Sequence, residues 1–157
     1  MVFRRLLREA ISTCDYEEYC TGVSKECPKD LIYNDGEKCA GDRNAICYKG
    51  RCGSRMLQCK ELWGEQASPA NESCYEMNLN EGGCGGSTTK CEPENILCGM
   101  LYCNPGRISA SLLYGWDRLE EGKGTECRSI YVAYQKAYVP DYHLGMTPDG
   151  TSCGNGK

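Results

Sequence analysis

The chain is poor in the residues that build a conventional hydrophobic core. It contains a single Phe, and Leu, Ile, Val and Phe together make up about 15% of its 157 residues, below the roughly 20% that marks a chain with a good core. Such a deficit indicates disorder when the charge is high, but the formal net charge here is only −4. The chain therefore needs another source of stability.

The residues and patterns of several common functions are also missing. With His143 as its one histidine, the chain cannot form an HExxH zinc helix, and it has neither a G-x-S-x-G motif nor a phosphate-binding loop. We therefore expect no enzymatic activity from it. The mildly acidic balance, without a basic patch, predicts no nucleic-acid partner. No apolar run approaches the ~20 residues of a membrane span, so we expect no direct membrane insertion by this chain.

Cysteine is the residue that the chain has in excess, with 14 of 157 positions. Each native disulfide typically contributes ~2–4 kcal/mol, so about five or six bridges would rival the ~5–15 kcal/mol net stability of a domain. Disulfides persist in oxidising compartments, and the sequon Asn71-Glu72-Ser73 makes Asn71 a candidate glycosylation site. The composition therefore predicts an extracellular or cell-surface protein.

The N-terminal segment does not read as a secretory signal. Residues 1–12, MVFRRLLREAIS, are basic and amphipathic, whereas a signal peptide needs an apolar centre of about 7–15 residues. Arg4, Arg5 and Arg8 interrupt every apolar run in this segment. We therefore expect no signal peptide in this chain.

The local patterns predict a small disulfide-rich fold of mostly irregular loops and turns, with short strands and one short helix near 54–63. Apolar residues fall near helical spacing there, Ser54 is a candidate N-cap, and Gly64 is a candidate terminator. Short buried strands are predicted at residues 96–97 and 100–102. Alternation predicts another strand over 129–134, and Lys49-Gly50 is a turn signal.

Three acidic residues form a candidate metal site. Asp15, Glu18 and Asp30 supply the hard oxygen ligands that calcium prefers. The alternative is that they are only surface charge on a solvated loop. Pairs such as Cys47-x4-Cys52 could suggest zinc, but zinc is a weaker hypothesis because structural zinc sites usually occur in reducing compartments. A cytosolic zinc protein with free thiols remains a distinct alternative to a disulfide-bonded one.

The 23 residues between Cys103 and Cys127 contain no cysteine and combine apolar, aromatic and charged side chains. Such a long anchored loop predicts a recognition surface. The alternative, about equally favoured, is that its apolar residues form the small core. The proposed contact residues are Arg107, Leu112, Leu113, Tyr114 and Trp116.

Several motifs resemble a known family. The run CDYEEYCTG over residues 14–22, followed by Cys27-Pro28, resembles the end of the disintegrin-like domain of the ADAM family. The rest of the chain resembles the cysteine-rich domain of that family, most like its fertilin-type members. The motifs that carry the second resemblance are DGEKC (35–39), ICYKGRC (46–52), QCKELWG (58–64), CGMLYC (98–103) and DGTSCGNGK (149–157).

The resemblance implies a division of the chain. Residues 1–13 would be a non-family or truncated N-terminal segment, 14–27 the remnant of the disintegrin-like domain, and 28–157 the cysteine-rich domain, truncated at its C-terminus. The family has a Cys-Arg pair seven residues before Cys14, and Leu7-Arg8 stands at those positions.

The same resemblance implies five disulfides, although sequence alone cannot choose a connectivity. The family partners of Cys20 and Cys27 lie upstream of this chain, and those of Cys98 and Cys153 lie past its last residue. These four cysteines are therefore expected to lack a native partner. The implied pairs are Cys14–Cys47, Cys39–Cys52, Cys59–Cys103, Cys74–Cys127 and Cys84–Cys91.

The family resemblance also implies a function. It supports calcium at Asp15, Glu18 and Asp30, and it implies a non-catalytic extracellular module for adhesion or recognition, as in contact between sperm and egg. The implied partner is a cell-surface receptor such as an integrin, and the parent would be a type I membrane protein. The alternative is a module that presents protein substrates to an attached zinc metalloprotease.

Overall fold

The computed structural model describes residues 6–23, 25–26, 28–84, 88–104, 116–122, 125–131 and 145–154. Within these ranges the regular structure consists of three small antiparallel sheets and three short helices. This agrees with the predicted disulfide-rich fold of short strands and irregular loops. None of the helices in the described ranges is long and apolar enough to cross a membrane.

The first sheet closes the N-terminal loop. Strands β1 (Leu6–Arg8) and β2 (Glu18–Tyr19) pair antiparallel, with Arg8 opposite Glu18. An isolated bridge between Asp15 and Ile32 brings the following segment alongside. The residues around Asp15, Glu18 and Asp30 are therefore held close together by backbone pairing.

The second sheet has the order β3–β4–β5, with β3 at Lys38–Cys39, β4 at Asp42–Tyr48 and β5 at Arg51–Cys52. Strands β4 and β5 are joined by the two residues Lys49 and Gly50, which have φ of 47° and 75°. A two-residue hairpin with positive φ at both positions matches the right-handed strand twist. The turn predicted at Lys49-Gly50 is therefore present.

Helix α1 spans Arg55–Trp63 and confirms the predicted helix. The Ser54 hydroxyl accepts a hydrogen bond from Leu57 N at 3.1 Å, which satisfies one of the free N–H groups of the first turn. Gly64, with φ of 98°, ends the helix and donates to Lys60 O.

The third sheet has the order β6–β7–β9–β8. The strands are β6 (Ser68–Pro69), β7 (Cys103–Asn104), β8 (Trp116–Gly122) and β9 (Thr125–Tyr131). Strands β8 and β9 pair in register along seven residues, from Trp116 opposite Tyr131 to Gly122 opposite Thr125. The strand predicted over 129–134 thus begins earlier, at Thr125, and positions 132–134 lie outside the described residues.

Two 3₁₀ helices complete the regular structure, at Glu72–Leu79 and Pro93–Cys98. The second corrects the prediction of a strand at residues 96–97. Pro93 fixes φ near the helical value at the first position and favours a helical start. Residues 100–102 are buried as predicted, but only Met100 makes a bridge, with Met146.

The core of the described residues is a set of three small clusters, and each of them includes disulfide-bonded cysteines. Cys59 in α1 bonds Cys103 in β7, and Cys74 in the first 3₁₀ helix bonds Cys127 in β9. One cluster comprises Cys59, Leu62, Trp63, Ala67, Leu101, Cys103 and Ile130; the second comprises Ala70, Cys74, Tyr75, Met100, Tyr102 and Cys127; the third comprises Cys14, Cys39, Ala45 and Cys47.

The structure contains the five disulfides that the family resemblance implied: Cys14–Cys47, Cys39–Cys52, Cys59–Cys103, Cys74–Cys127 and Cys84–Cys91.

A sixth bridge corrects the expectation that Cys98 and Cys153 lack partners. These two cysteines bond each other. The bridge forms because Met100 and Met146 pair and Leu101 N donates to Gly145 O, which returns the C-terminal segment to the end of the second 3₁₀ helix. Cys20 is free, and Cys27 lies outside the described residues.

Candidate functional site

The three predicted calcium ligands converge on the guanidinium of Arg8. Its Nη1 lies 2.6 Å from Asp15 Oδ2 and its Nη2 lies 3.1 Å from Asp15 Oδ1. The same Nη2 lies 2.5 Å from Asp30 Oδ1, and Nε lies 3.5 Å from Glu18 Oε2. Each of the three guanidinium nitrogens therefore faces a carboxylate. We call these four residues the Arg8 cluster.

Backbone pairing explains this convergence. Arg8 and Glu18 are opposite each other in the β1–β2 pair. The bridge between Asp15 and Ile32 brings the segment that carries Asp30 within reach of Arg8. Ile32 in turn packs over Gly50, where an added Cβ would lie 2.8 Å from Ile32 Cγ2. The hairpin turn of the second sheet therefore contacts Ile32, whose backbone forms a bridge with Asp15.

Asp15 is the buried centre of the cluster. Its side chain is 1% exposed, against 10% for Glu18 and 68% for Asp30. The hydrogen bond from Arg8 lowers the pKa of Asp15, and this outweighs the opposing effect of burial. Asp15 also raises the pKa of Arg8. Asp15 is therefore not a solvated surface charge.

Two backbone groups complete the ligation of Asp15. Ile11 N donates to Oδ2 at 2.9 Å, and Tyr16 N donates to Oδ1 at 3.0 Å. Together with the two bonds from Arg8, both oxygens are each shared between a guanidinium and an amide. Glu18 Oε1 accepts from Leu31 N at 3.2 Å.

The donor set suits calcium in its chemistry but not in its spacing. All three side chains offer hard oxygen atoms. Their ligand atoms, however, do not form a group within 4.8 Å of one another, because the guanidinium lies between them. Calcium at Asp15, Glu18 and Asp30 thus stays a prediction, and Arg8 is the residue that it would meet.

Sulfur does not supply a metal site in the described part of the chain. The group of three ligand residues found there is Cys14, Cys39 and Cys47. All three belong to disulfides, so none offers a thiolate to zinc.

Exposed apolar side chains concentrate beside the Arg8 cluster. Tyr16 stacks on Tyr33 with ring centroids 4.4 Å apart, and Tyr16 remains 46% exposed. Of the ten large hydrophobic residues that are exposed in the described part of the chain, eight fall between positions 6 and 32. They are Leu6, Leu7, Ile11, Tyr16, Tyr19, Val23, Leu31 and Ile32.

A cleft of about 390 Å³ opens beside the N-terminus of α1. Arg55 lines it, donates to Leu97 O and Ser152 O, and places its guanidinium carbon 5.7 Å from the Tyr75 ring centroid. Burial lowers the pKa of Arg55. Arg55 therefore ties the second 3₁₀ helix and the C-terminal segment to α1.

Asn71 is exposed, as glycosylation requires. Its Oδ1 accepts from Ser73 N at 3.0 Å and caps the first 3₁₀ helix, while the attachment atom Nδ2 is a separate atom of the amide. The local structure at Asn71 is therefore compatible with glycosylation of this residue.

Most of the predicted recognition surface lies outside the described residues. Arg107, Leu112, Leu113 and Tyr114 lie outside the described residues, and only the backbone of Trp116 is described, at the start of β8. Both flanking cysteines are described, however. Cys103 and Cys127 are buried and bonded to the core.

Sequence reasoning missed Arg8 as a functional residue. In the sequence, Arg8 stands out only as a charge that interrupts the apolar runs of residues 1–12 and as the Arg of the family's Cys-Arg pair. A signal was present, since Arg8 precedes the acidic residues of a loop that a disulfide closes. Ion pairing across 22 residues, as between Arg8 and Asp30, is not visible in sequence spacing.

Comparisons with known proteins agree with the resemblance of the motifs. Residues 35–142 match the ADAM cysteine-rich family. The chain is 36% identical over 162 residues to disintegrin and metalloproteinase domain-containing protein 15 of Mus musculus, covering 96% of this chain and 18% of that protein.

Two further relatives span the same part of the chain. It is 35% identical over 165 residues to disintegrin and metalloproteinase domain-containing protein adm-2 of Caenorhabditis elegans, and 32% identical over 165 residues to protein 22 of that series in Mus musculus. Each match covers 94% of this chain and 17% of the relative. The chain thus spans less than a fifth of the length of these relatives.

Proposed function

This chain belongs to the ADAM family of disintegrin and metalloproteinase proteins, and from that membership we propose that it is a non-catalytic extracellular module for adhesion and recognition. It carries the cysteine-rich domain of the family over residues 35–142. We place its contact surface between Cys103 and Cys127, and its partner among cell-surface receptors such as integrins. Because the motifs resemble fertilin-type members most, we propose that the module takes part in the contact between sperm and egg.

One observation carries this proposal. The segment proposed to make contact is bonded to the core at both ends, through Cys59–Cys103 and Cys74–Cys127. These four sulfur-bearing residues are 0% or 1% exposed. A segment anchored in this way loses less conformational freedom when it binds than a free loop does, and the anchoring therefore favours recognition.

Cell attachment tests the proposal. The chain is secreted from an animal cell line, coated on plates, and compared with a variant that carries alanine at the five contact positions. A double variant, Arg43→Ala with Leu79→Ala, serves as control because both residues are exposed and lie outside the segment. We expect attachment to fall by about tenfold or more in the first variant and to stay unchanged in the control.

The attachment experiment also identifies the receptor class. Loss of attachment with blocking antibodies against integrins assigns an integrin, whereas inhibition of sperm–egg binding by the soluble chain supports the fertilin-type role. Equal attachment of the wild type and the five-alanine variant, with native disulfides in both, would overturn the proposed surface.

A second candidate function rests on the names of the relatives, which include a metalloproteinase domain. In this alternative the module presents protein substrates to an attached protease. The soluble chain would then inhibit cleavage of a protein substrate by its full-length parent but leave cleavage of a short peptide unchanged. Equal inhibition of both substrates, or of neither, would contradict this alternative.

Glycosylation at Asn71 tests the proposed extracellular location. When the parent protein is expressed in animal cells, we expect an enzyme that removes N-glycans to increase its gel mobility. Asn71→Gln should remove that shift for the fragment that contains this sequon, while Asn80→Gln, an exposed asparagine outside a sequon, should not. An unmodified Asn71 in material that carries native disulfides would contradict the prediction.

A further inference from the structure

The Arg8 cluster holds three carboxylates around one positive charge. Arg8 is bidentate to Asp15, and the same guanidinium contacts Asp30 and faces Glu18. Bidentate guanidinium–carboxylate pairs are among the stronger and most directional hydrogen-bonded contacts in proteins. Without Arg8, three like charges would be held in one small loop by backbone pairing. Arg8 therefore has the position and the charge of a bound cation.

The lone pairs of Asp15 are already occupied. A carboxylate offers about four lone-pair directions, and Asp15 accepts two hydrogen bonds from Arg8 together with those from Ile11 N and Tyr16 N. The backbone donors are fixed by the loop. An incoming metal ion can therefore gain access to Asp15 only at the position that Arg8 holds.

From this geometry we propose that Arg8 is the resident cation of the loop, and that a divalent cation of the size of calcium competes with Arg8 instead of binding beside it. The cluster then has two states. In the first, Arg8 crosslinks Asp15, Glu18 and Asp30 without metal. In the second, the three carboxylates face the ion, and the Arg8 side chain turns to solvent, where it is already 32% exposed. Because only the second state binds calcium, the apparent calcium affinity of the chain falls as the population of the first state rises.

The proposal goes beyond the adhesion function and does not depend on it. It concerns residues 8–31, whereas the proposed contact surface lies between positions 103 and 127. A calcium experiment on the Arg8 cluster can therefore fail without affecting the attachment experiment, and the reverse is also true.

Calorimetry with calcium chloride tests the competition. The full chain is compared with Arg8→Gln and with Arg43→Gln, which removes the same charge from an exposed position in β4. We expect Arg8→Gln to bind calcium on the order of tenfold more tightly than either other protein. Arg8→Lys keeps the charge but loses the bidentate contact, so it should fall between them. Equal affinity of Arg8→Gln and Arg43→Gln would overturn the proposal.

A nuclear magnetic resonance measurement needs no folded Arg8→Gln protein. In the wild type labelled with nitrogen-15, the Arg8 Nε–H signal is assigned by its loss in Arg8→Lys. As calcium occupies the cluster, that signal should move to the position of a solvated arginine in proportion to bound ion. Calcium binding with an unchanged Arg8 signal, or no calcium binding to the wild type and to both Arg8 variants, would show that no competition exists.

Discussion

At the scale of single residues, Asp15 and Asn78 are buried polar side chains that connect separate segments of the chain through hydrogen bonds. Asp15 is buried against Arg8, and its carboxylate is fully engaged. Asn78 is fully buried, and its Nδ2 donates to Ile96 O at 2.7 Å and to Met100 O at 3.1 Å. In a fold with few apolar residues, such polar contacts fix positions that packing alone would leave loose.

Asp15 should make the loop acid-sensitive. Its pKa is lowered in the folded chain, so it contributes stability that is fully present above the ordinary aspartate value of 3.8 and is lost as the pH falls through the lower folded value. We expect the backbone amide signals of Ile11 and Tyr16, which donate to Asp15, to shift in that pH range. The variant Asp15→Asn should lack this transition.

Asp149→Asn is the control for the acid transition, because Asp149 is an exposed aspartate outside the cluster. It should keep the transition. The same transition in Asp15→Asn would show that another group causes it.

Asn78→Ala should be strongly destabilising. It removes the Asn78 donor to Met100 O and one of the two donors to Ile96 O, which also accepts from Gly99 N. An unsatisfied buried polar group costs about 1–3 kcal/mol, and the truncated side chain leaves a cavity that adds to the loss. We therefore expect a loss of about 2–5 kcal/mol in the free energy of unfolding, measured by urea denaturation. Asn80→Ala, two positions along and exposed, should change it by less than about 0.5 kcal/mol. Similar losses in both variants would refute the role given to Asn78.

At the scale of elements, helix α1 depends on its cap and on its contacts with the second sheet. The Ser54 hydroxyl accepts from Leu57 N and donates to Asp42 Oδ2 at 2.5 Å, so one side chain joins the start of α1 to strand β4. At Gly53 an added Cβ would lie 2.2 Å from Gly150 C, which shows how closely the C-terminal segment passes. The start of α1 therefore lies against both strand β4 and the C-terminal segment.

Ser54→Ala should therefore cost about 1–2 kcal/mol, the usual loss for removal of a helix cap. It also leaves Asp42 with one donor fewer. Chemical denaturation followed by tryptophan fluorescence measures the change, since Trp63 lies buried at the end of α1. Thr88→Ala, an exposed hydroxyl outside any helix, is the control. A change below that of the control would rule out the cap as a stabilising contact.

At the scale of the whole molecule, disulfides hold together distant segments of the chain that the small hydrophobic clusters alone would not hold. The six bridges between described cysteines span sequence separations from 7 residues for Cys84–Cys91 to 55 for Cys98–Cys153. The Cys98–Cys153 bridge joins the second 3₁₀ helix to the C-terminal segment, next to the hydrogen bonds of Arg55 and Thr147 with Leu97 O. The C-terminal segment is thus part of the folded unit.

Removing the long-range bridge should cost more than removing the short one. On the chain-entropy estimate, the double change to serine at Cys98 and Cys153 lowers the free energy of unfolding by about 4 kcal/mol, against about 2.5 kcal/mol at Cys84 and Cys91. Urea denaturation of both variants measures the two losses. Peptide mass mapping of the wild type should recover Cys98 bonded to Cys153. The opposite order of the two losses would contradict the entropic account.

The sequence by itself determined the features that depend on neighbouring residues. Cysteine content predicted the disulfide-rich class, the cap at Ser54 and Gly64 predicted α1, and the Lys49-Gly50 turn was visible in the chain. Each of these signals acts over a few residues, where backbone sterics and hydrogen bonding decide the conformation. The motifs that resemble the ADAM family indicated the family and implied five of the disulfides.

Only the tertiary structure decided what depends on distant segments. The Arg8 cluster, the Cys98–Cys153 bridge and the helical course of residues 96–97 all follow from how the chain turns back on itself. Sequence spacing contains no distances between such segments, and fourteen cysteines allow many pairings. The position of a cation, whether guanidinium or metal, is set by the same return of the chain, because charges interact through space and not along the sequence.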